Sequence, residues 1–224
     1  FFSLLKYMDS HNNIYYPIEN NSHVVRALLA NRVWEKKIDS LMRELIQPDW
    51  VCLDCGAYIG SHALTMAELG KDVHLFEPQP LIYSCLTKTK KMKNIKNWYI
   101  NNFALSDRDL GAVGFSSNND GDARLTRSSA KRNWKYSFNV KTMKLDSLNL
   151  DKVNFMKIDV EGSEFELLKG AKGIISKCHP VIIMEVFKTK KNKEKLDKFC
   201  QDYCYEAEAI NSENWLLTPH IILS

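Results

Sequence analysis

From residue 51 onward, short apolar runs alternate with amphipathic stretches, and that order constrains the fold more than any single motif. "WVCLD" reads as a buried strand and "GSHALTMAELG" as a helix closed by Gly70. "DVHLFE" is a second strand, and "QPLIYSCLTKTKKMK" a helix with Pro80 in its first turn. "NWYINNFAL" and "VNFMKID" are further strands, the latter followed by the helix "SEFELLKGAKGII". "PVIIMEVF" and "NKEKLDKFCQDY" form another strand and helix pair. The tail, "CYEAEAI" and "NWLLTP", offers two strands joined by a turn short enough to pair them antiparallel at one edge. Strict alternation of this kind demands right-handed crossovers and a mostly parallel sheet with helices on both faces. The fold class is α/β.

Two regions fall outside the alternation. Residues 1–50 read as an N-terminal helical preface or lid, with Val25, Leu28, Leu29, Ile38, Leu41, Met42 and Leu45 at helical spacing until Pro48 breaks the pattern. Residues 107–150 read as an insert in the 51–224 domain, with β-like runs around a polar, aromatic-dotted middle. Inserts at this end of an α/β sheet often shape a substrate pocket.

Composition narrows the class. The 224 residues are 45% hydrophobic and 26% charged, as expected of a packed soluble domain. No apolar run approaches the ~20 residues that cross a bilayer. The first residues, "FFSLLKYMDSHNN", have neither the basic start nor the small-residue cleavage site of a signal peptide. Lacking an initiator Met, the chain is expected to be a domain of a longer parent chain, whose other domains are candidate partners. The formal charge of +4 does not require an anionic partner. Lysines crowd residues 88–96 and 188–198 without interleaved aromatics, so they read as solvated faces, and nucleic acid is not the expected partner. Six cysteines at irregular spacing suit a reducing compartment, and cytoplasmic localisation is expected.

The stretch "VCLDCGAYIG" at residues 51–60 holds two competing patterns. Cys52 and Cys55 have the spacing of a zinc knuckle, but no second cysteine pair has a matching spacing, and they lie within or just beyond a buried strand. Asp54, Gly56 and Gly60 instead fit a strand that turns into a helix beneath an adenosine-type ligand. Gly56 is expected to let backbone approach the ligand and Gly60 to let the helix pack closely. The run is not Gly-x-Gly-x-x-Gly, which disfavours a dinucleotide enzyme. Glu77, about 20 residues on at a strand end, is placed to accept hydrogen bonds from ribose hydroxyls.

Together with "WE" at Trp34 and Glu35, "LDCGAYIGSHAL", "FEPQP", "NFALSD", "KTMKLDSL" and "MKIDVEGSEFELLKGA", these blocks resemble the FkbM-type S-adenosylmethionine-dependent methyltransferases. The resemblance covers residue 34 to the end. It implies a Rossmann-like class I methyltransferase fold, a seven-stranded sheet with an antiparallel edge strand. It also implies that Asp54, Gly56, Ala57, Gly60, Glu77, Phe103 and Ala104 surround the cofactor, with Asn102, Ser106 and Asp107 as weaker candidates.

In "FMKIDVEGSEF", Lys157, Asp159 and Glu161 alternate with apolar residues, so three charges share one side of an extended chain. Ser163 and Glu166 read as a capping box that starts the next helix. Glu185 ends the neighbouring strand at the same level. A charged row in a doubly covered sheet must pair internally or open into a site. Both readings stand: a Lys157 salt bridge holding strands in register, or carboxylates facing a methyl acceptor. In the second, Asp159 is the expected base for an acceptor hydroxyl, Glu161 the next candidate, and Lys157 orients them. A variant has Asp159, Glu161 and Glu185 hold Mg²⁺ or Mn²⁺. Because relatives in the resembling family methylate sugar hydroxyls, a glycan acceptor is expected, with Arg124, Trp134 and Tyr136 as candidate contacts. The rival readings are an RNA or nucleotide methyltransferase and a non-catalytic cofactor-binding module.

Overall fold

The structure, a computed structural model, describes residues 8–18, 22–117, 124–126 and 136–220; within 111–138 the description is of backbone alone. The first fifty residues are not helical throughout. β1 (Met8–His11) and β2 (Ile14–Pro17) form an antiparallel hairpin, with Asn12 and Asn13 at its tip in the left-handed conformation that asparagine tolerates well. α1 (His23–Leu29) starts at Ser22, whose side chain accepts from the Val25 N–H. α2 (Lys36–Leu45) follows a break at which Asn31 and Glu35 both take positive φ. That break resets the apolar register, so Leu29 is 48% exposed while Val25, Ile38 and Met42 are buried.

These elements are welded to the rest. Tyr16 and Val25 pack on Ile59 and Ile82, and Ile38 and Met42 pack among Ala63, Met66 and Trp98. Asp39 of α2 accepts from the Thr65 hydroxyl at 2.6 Å and from Arg43 at 3.0 Å.

The alternating region runs β3 (Val51–Cys55), α3 (Ser61–Leu69), β4 (Asp72–Phe76), α4 (Pro80–Met92), β5 (Trp98–Asn101). β6 (Ala104–Leu105) follows, and the insert then supplies β7 (Leu110–Ser117), β8 (Arg124–Thr126) and β9 (Tyr136–Met143). The chain then resumes with β10 (Phe155–Ile158), α5 (Glu164–Lys169), α6 (Lys172–Cys178), β11 (Val181–Glu185), α7 (Lys190–Tyr203), β12 (Tyr205–Ala209) and β13 (Asn214–Pro219). The seven-stranded sheet has the order β12-β13-β11-β10-β3-β4-β5, parallel apart from the reversed β13. The antiparallel edge is thus a pair, with β12 outermost. Strand order reverses direction between β3 and β10, and crevices at such switch points bind ligands.

Alternation along each strand separates two cores. Leu53, Cys55, Met156, Ile158, Ile182 and Met184 share the face covered by α5, α6 and α7. Cys52, Val73, Leu75, Phe155 and Ile183 share the face covered by α2, α3 and α4. Cys52 and Cys55 therefore sit on opposite faces, both buried, and cannot converge on one metal ion; none of the six cysteines forms a disulfide. No helix among the described residues is long and apolar enough to cross a membrane. The lysines of α7 lie on a solvated face, where Lys193 and Lys198 pair with Asp197 and Asp202 at 2.9 Å.

Two long runs split. "NWYINNFAL" divides into β5 and β6 because Asn102 turns back, its amide donating to the Glu77 and Pro78 carbonyls at 2.9 and 3.1 Å. β6 then joins the second sheet, ordered β6-β9-β7-β8. "SEFELLKGAKGII" divides at Gly170, where a Cβ would lie 2.0 Å from the Ser106 carbonyl oxygen. Asp146 bridges this junction, its two carboxylate oxygens accepting from the Gly173 and Ile174 N–H groups at 2.9 Å. It caps α6 from a distance of 27 and 28 residues in sequence. Asp146→Ala is expected to cost about 1–2 kcal/mol, the range for losing a helix cap, measured as a lowered urea midpoint; unchanged stability would show that the cap carries no energy.

Candidate active site

Strand parity brings the charged side chains together. Cys52 and Phe155 lie on the α2/α3 face, so Asp54 and Lys157, two residues further along and paired in register, emerge on that face too. Ile183 extends the same row to Glu185, and Leu75 leads on to Glu77. These strand ends floor a cleft of about 360 Å³. Its wall includes Asp54, Gly56, Ala57, Glu77, Phe103 and Ala104, six of the seven expected cofactor residues, and all four expected catalytic residues, Lys157, Asp159, Glu161 and Glu185.

Both glycines of the turn are required by close packing. Gly56 and Gly60 both have φ of +87°, a region that L side chains rarely adopt. A Cβ on Gly56 would lie 1.8 Å from the Asp159 carbonyl oxygen, so the close approach is to β10's exit backbone. Gly60 is packed against Leu86 and Trp98, each 2.9 Å from where its Cβ would be, and does not line the cleft. It supports the turn from behind.

Glu77 is a built carboxylate and no surface group. It is 3% exposed; its Oε2 accepts from the Tyr58 N–H at 3.1 Å and its Oε1 from the Gln79 N–H at 2.8 Å. Burial pushes its pKa up to about 7 against the pull of those N–H donors. The Gln79 side chain donates to the carboxylate as well, and the acceptor capacity that is left suits a ribose hydroxyl. Asp54 is buried, its Oδ2 has no hydrogen-bond partner among the described residues, and burial pushes its pKa to about 7 against the opposing charge of Lys157. An unmet acceptor, a braced carboxylate and a glycine turn fit S-adenosylmethionine. Asn102 braces the Glu77–Pro78 backbone, while Ser106 is buried beneath the insert.

At the far side of the cleft, Lys157 Nζ donates to Asp159 Oδ2 at 2.7 Å. The Lys157 side chain is 3% exposed and that of Asp159 32% exposed, so the ammonium is sealed while the carboxylate still reaches the cleft. Burial opposes ionisation of both. The Lys157 charge nonetheless holds Asp159 below the usual carboxylate range, and Asp159 and Glu35 hold Lys157 above its ordinary value. Glu185 is pushed up to about 9, first by burial and then by the neighbouring charge of Asp159. The salt bridge and the site are one object.

The divalent-cation alternative does not fit. Among the described residues no group of three His, Cys, Asp or Glu side chains is placed to hold a metal ion, and Asp159 Oδ2 is committed to an ammonium. The capping box is also absent: Ser163 makes no side-chain cap. Glu164 replaces it, its Oε1 accepting from the Gly162 N–H at 2.8 Å and the Val160 N–H at 3.3 Å. A carboxylate one residue inside the helix reaches this loop because Glu161 and Gly162 take positive φ and fold it back. Of the expected acceptor contacts, Trp134 lies outside the described residues, and Arg124 and Tyr136 are described by backbone alone, in β8 and β9.

Several cleft residues had no sequence prediction. Val24, Trp34 and Glu35 come from the N-terminal segment, His62 from the first turn of α3, and Glu213 from the turn before β13. Trp34 and Glu35 stood out in the sequence only as a block of the family resemblance, with no role attached to either. His62 is neutral, its pKa lowered to about 3, first by burial and then by Lys157.

A parallel sheet with a reversed penultimate strand, a glycine turn and an acidic residue closing the next strand define a Rossmann-like class I methyltransferase. A family model, the methyltransferase FkbM domain, matches residues 54–212, and the chain belongs to that family of S-adenosylmethionine-dependent methyltransferases. The hexuronic acid methyltransferase AglP of Haloferax volcanii is 30% identical over 164 residues, 66% of this chain and 61% of that protein, so the match spans less than two thirds of this relative. The crystal structure of methyltransferase FkbM from Methylobacillus flagellatus superposes with a TM-score of 0.58 at 14% identity, covering 97% of this chain and 57% of that one. The SAH complex of SMU.1697c from Streptococcus mutans superposes at 0.51 and 10% identity, covering 81% and 94%.

The buried carboxylates make ligand-free stability depend on pH. Asp54, Glu77 and Glu185 have folded pKa values above their unfolded ones. Their contribution is therefore fully present below the unfolded pKa and is lost as pH rises through about 7 to about 9. His62 and Asp159, shifted downward, oppose this only at lower pH. The urea midpoint is expected to be higher at pH 7 than at pH 8.5, and Glu185→Gln to flatten that slope; a midpoint rising with pH would contradict the assignments.

Proposed function

We propose that the protein transfers the methyl group of S-adenosylmethionine to a hydroxyl oxygen of a sugar, with Asp159 as the base. The observation that carries this reading is the Asp159 carboxylate, fixed by Lys157 at 2.7 Å and still 32% exposed to the cleft. When bound, S-adenosylmethionine supplies an electrophilic methyl on a sulfonium. Glu77 and the turn after Asp54 would hold its adenosine end, and the ends of β3 and β10 would face its reactive end. The acceptor oxygen forms its bond to the methyl carbon as the carbon–sulfur bond breaks, and its proton passes to Asp159 Oδ1 or Oδ2. Lys157 keeps Asp159 ionised beforehand and holds its orientation. Glu185, carrying a proton, donates to Asp159 and so presents one negative charge where two carboxylates meet.

Electrostatics favour a sugar over RNA. Among the described lining residues, the carboxyl groups of Glu35, Asp54, Glu77, Asp159, Glu161, Glu185 and Glu213 face a single cation, Lys157. Such a cleft suits a sulfonium and repels phosphate. The likeness to a hexuronic acid methyltransferase supports a sugar acceptor, and a uronate carboxylate would have to point out of this cleft. The test is methyl transfer to a panel of hexuronic acids and neutral pyranoses, followed by alkaline hydrolysis. An alkali-stable methyl ether is expected; a labile methyl ester, or transfer to RNA alone, would overturn the assignment. Asp159→Asn is expected to lower kcat by about 10²–10⁴, the range for losing a general base, while calorimetry shows SAH binding retained. Undiminished turnover would remove Asp159 from the mechanism.

A further inference from the structure

We infer that Glu35, contributed from outside the matched family domain, binds the ammonium of the donor's amino-acid end together with Asp54. This rests on the cofactor reading above and adds a ligand which that reading does not assign. The placement follows from strand order. Glu77, Asp54 and Asp159 end β4, β3 and β10, three neighbouring strands spaced about 4.8 Å apart. A donor with its ribose at Glu77 and its methyl near Asp159 must cross Asp54, and its amino-acid arm must leave the sulfur on one side of the sheet. On the α2/α3 side that arm meets Glu35 and His62.

Glu35 is shaped for such a role. It stands at the N-terminus of α2 with φ 44° and ψ 57°, yet its side chain makes no cap to that helix. The carboxylate instead turns into the cleft, where Oε1 accepts from the Asn214 amide at 3.3 Å and Oε2 lies 3.6 Å from His62 Nε2. A second observation points to a ligand. Asp54 Oδ2 and His62 Nε2 have no hydrogen-bond partner among the described residues, although Asp54 is 2% and His62 8% exposed. Both line the same cleft. Lys157 acts on Glu35 through its charge, while its hydrogen bond at 2.7 Å is made to Asp159. Two carboxylates with spare acceptor capacity and a neutral imidazole call for a compact cation with several N–H donors, which an α-ammonium is and a ribose is not.

The test measures binding by calorimetry for wild type and Glu35→Gln with two probes, SAH and 5′-methylthioadenosine, which lacks the amino-acid arm. The expected result is a loss of SAH affinity of about ten- to a hundredfold with methylthioadenosine affinity unchanged. Equal losses for both probes would mean that Glu35 acts on the cleft's shape, and no loss for either would mean that it makes no contact; both overturn the inference while leaving the cofactor reading intact. Wild type that fails to bind SAH would instead overturn the cofactor reading, and the inference with it.

Discussion

A sealed ammonium organises the functional end of this sheet. Burying a lysine costs several kcal/mol unless opposite charge compensates it, and Lys157 emerges where compensation is densest. Asp54 lies beside it in the strand register, Asp159 is in direct contact at 2.7 Å, and Glu35 faces it from α2. The dependence is mutual. Without Lys157 the carboxylates would be like charges crowded in a poorly solvated cleft, and the first response would be to take up protons. With it, they divide into roles: Asp159 stays ionised and Glu185 carries a proton. Two carboxyl groups pushed apart in protonation by their surroundings are a recurrent basis for acid–base assignments.

The N-terminal segment belongs to this arrangement. The hairpin and α1 rest on Ile59 and Ile82, which flank the glycine turn and begin α4. Tyr58, at φ 48°, hands its N–H to Glu77 and shares a hydroxyl contact of 3.0 Å with Ser22. The Glu77 carboxylate is thus braced by a loop that the N-terminal elements hold down. A domain cut at the start of the family match would lose Val24, Trp34 and Glu35 from the cleft wall.

Much of this was legible in the sequence, and the exceptions share a cause. Strand and helix order, the glycine turn, Glu77 and the charged exit of β10 are encoded locally, in periodicity and in residue types with few alternative uses. Glu35, His62 and Asn214 are not. Their place depends on how α2 meets α3 and on the approach of β13, contacts made 27 to 179 residues away in sequence. Gly56 shows the same limit: its presence was readable, but its cause, the backbone of Asp159, lies about a hundred residues on. Glu164 in place of a Ser163 cap required positive φ at Glu161 as well as at Gly162, which a glutamate does not advertise.

A depressed pKa makes Asp159 a weak base, which at first sight argues against its proposed role. The chemistry removes the objection. As the methyl group leaves sulfur for a neutral hydroxyl, positive charge moves onto the acceptor oxygen, and the hydroxyl proton becomes far more acidic than it was in the alcohol. A base that must remove a proton only once that charge has developed need not be strong; it must be ionised, close and correctly aimed. Lys157 secures all three at the expense of basicity. On that proposal the same carboxylate would meet positive charge wherever it resides during transfer, first on sulfur, then on oxygen, finally as the proton it accepts, and the acidic cleft would serve the transition state as well as the bound donor.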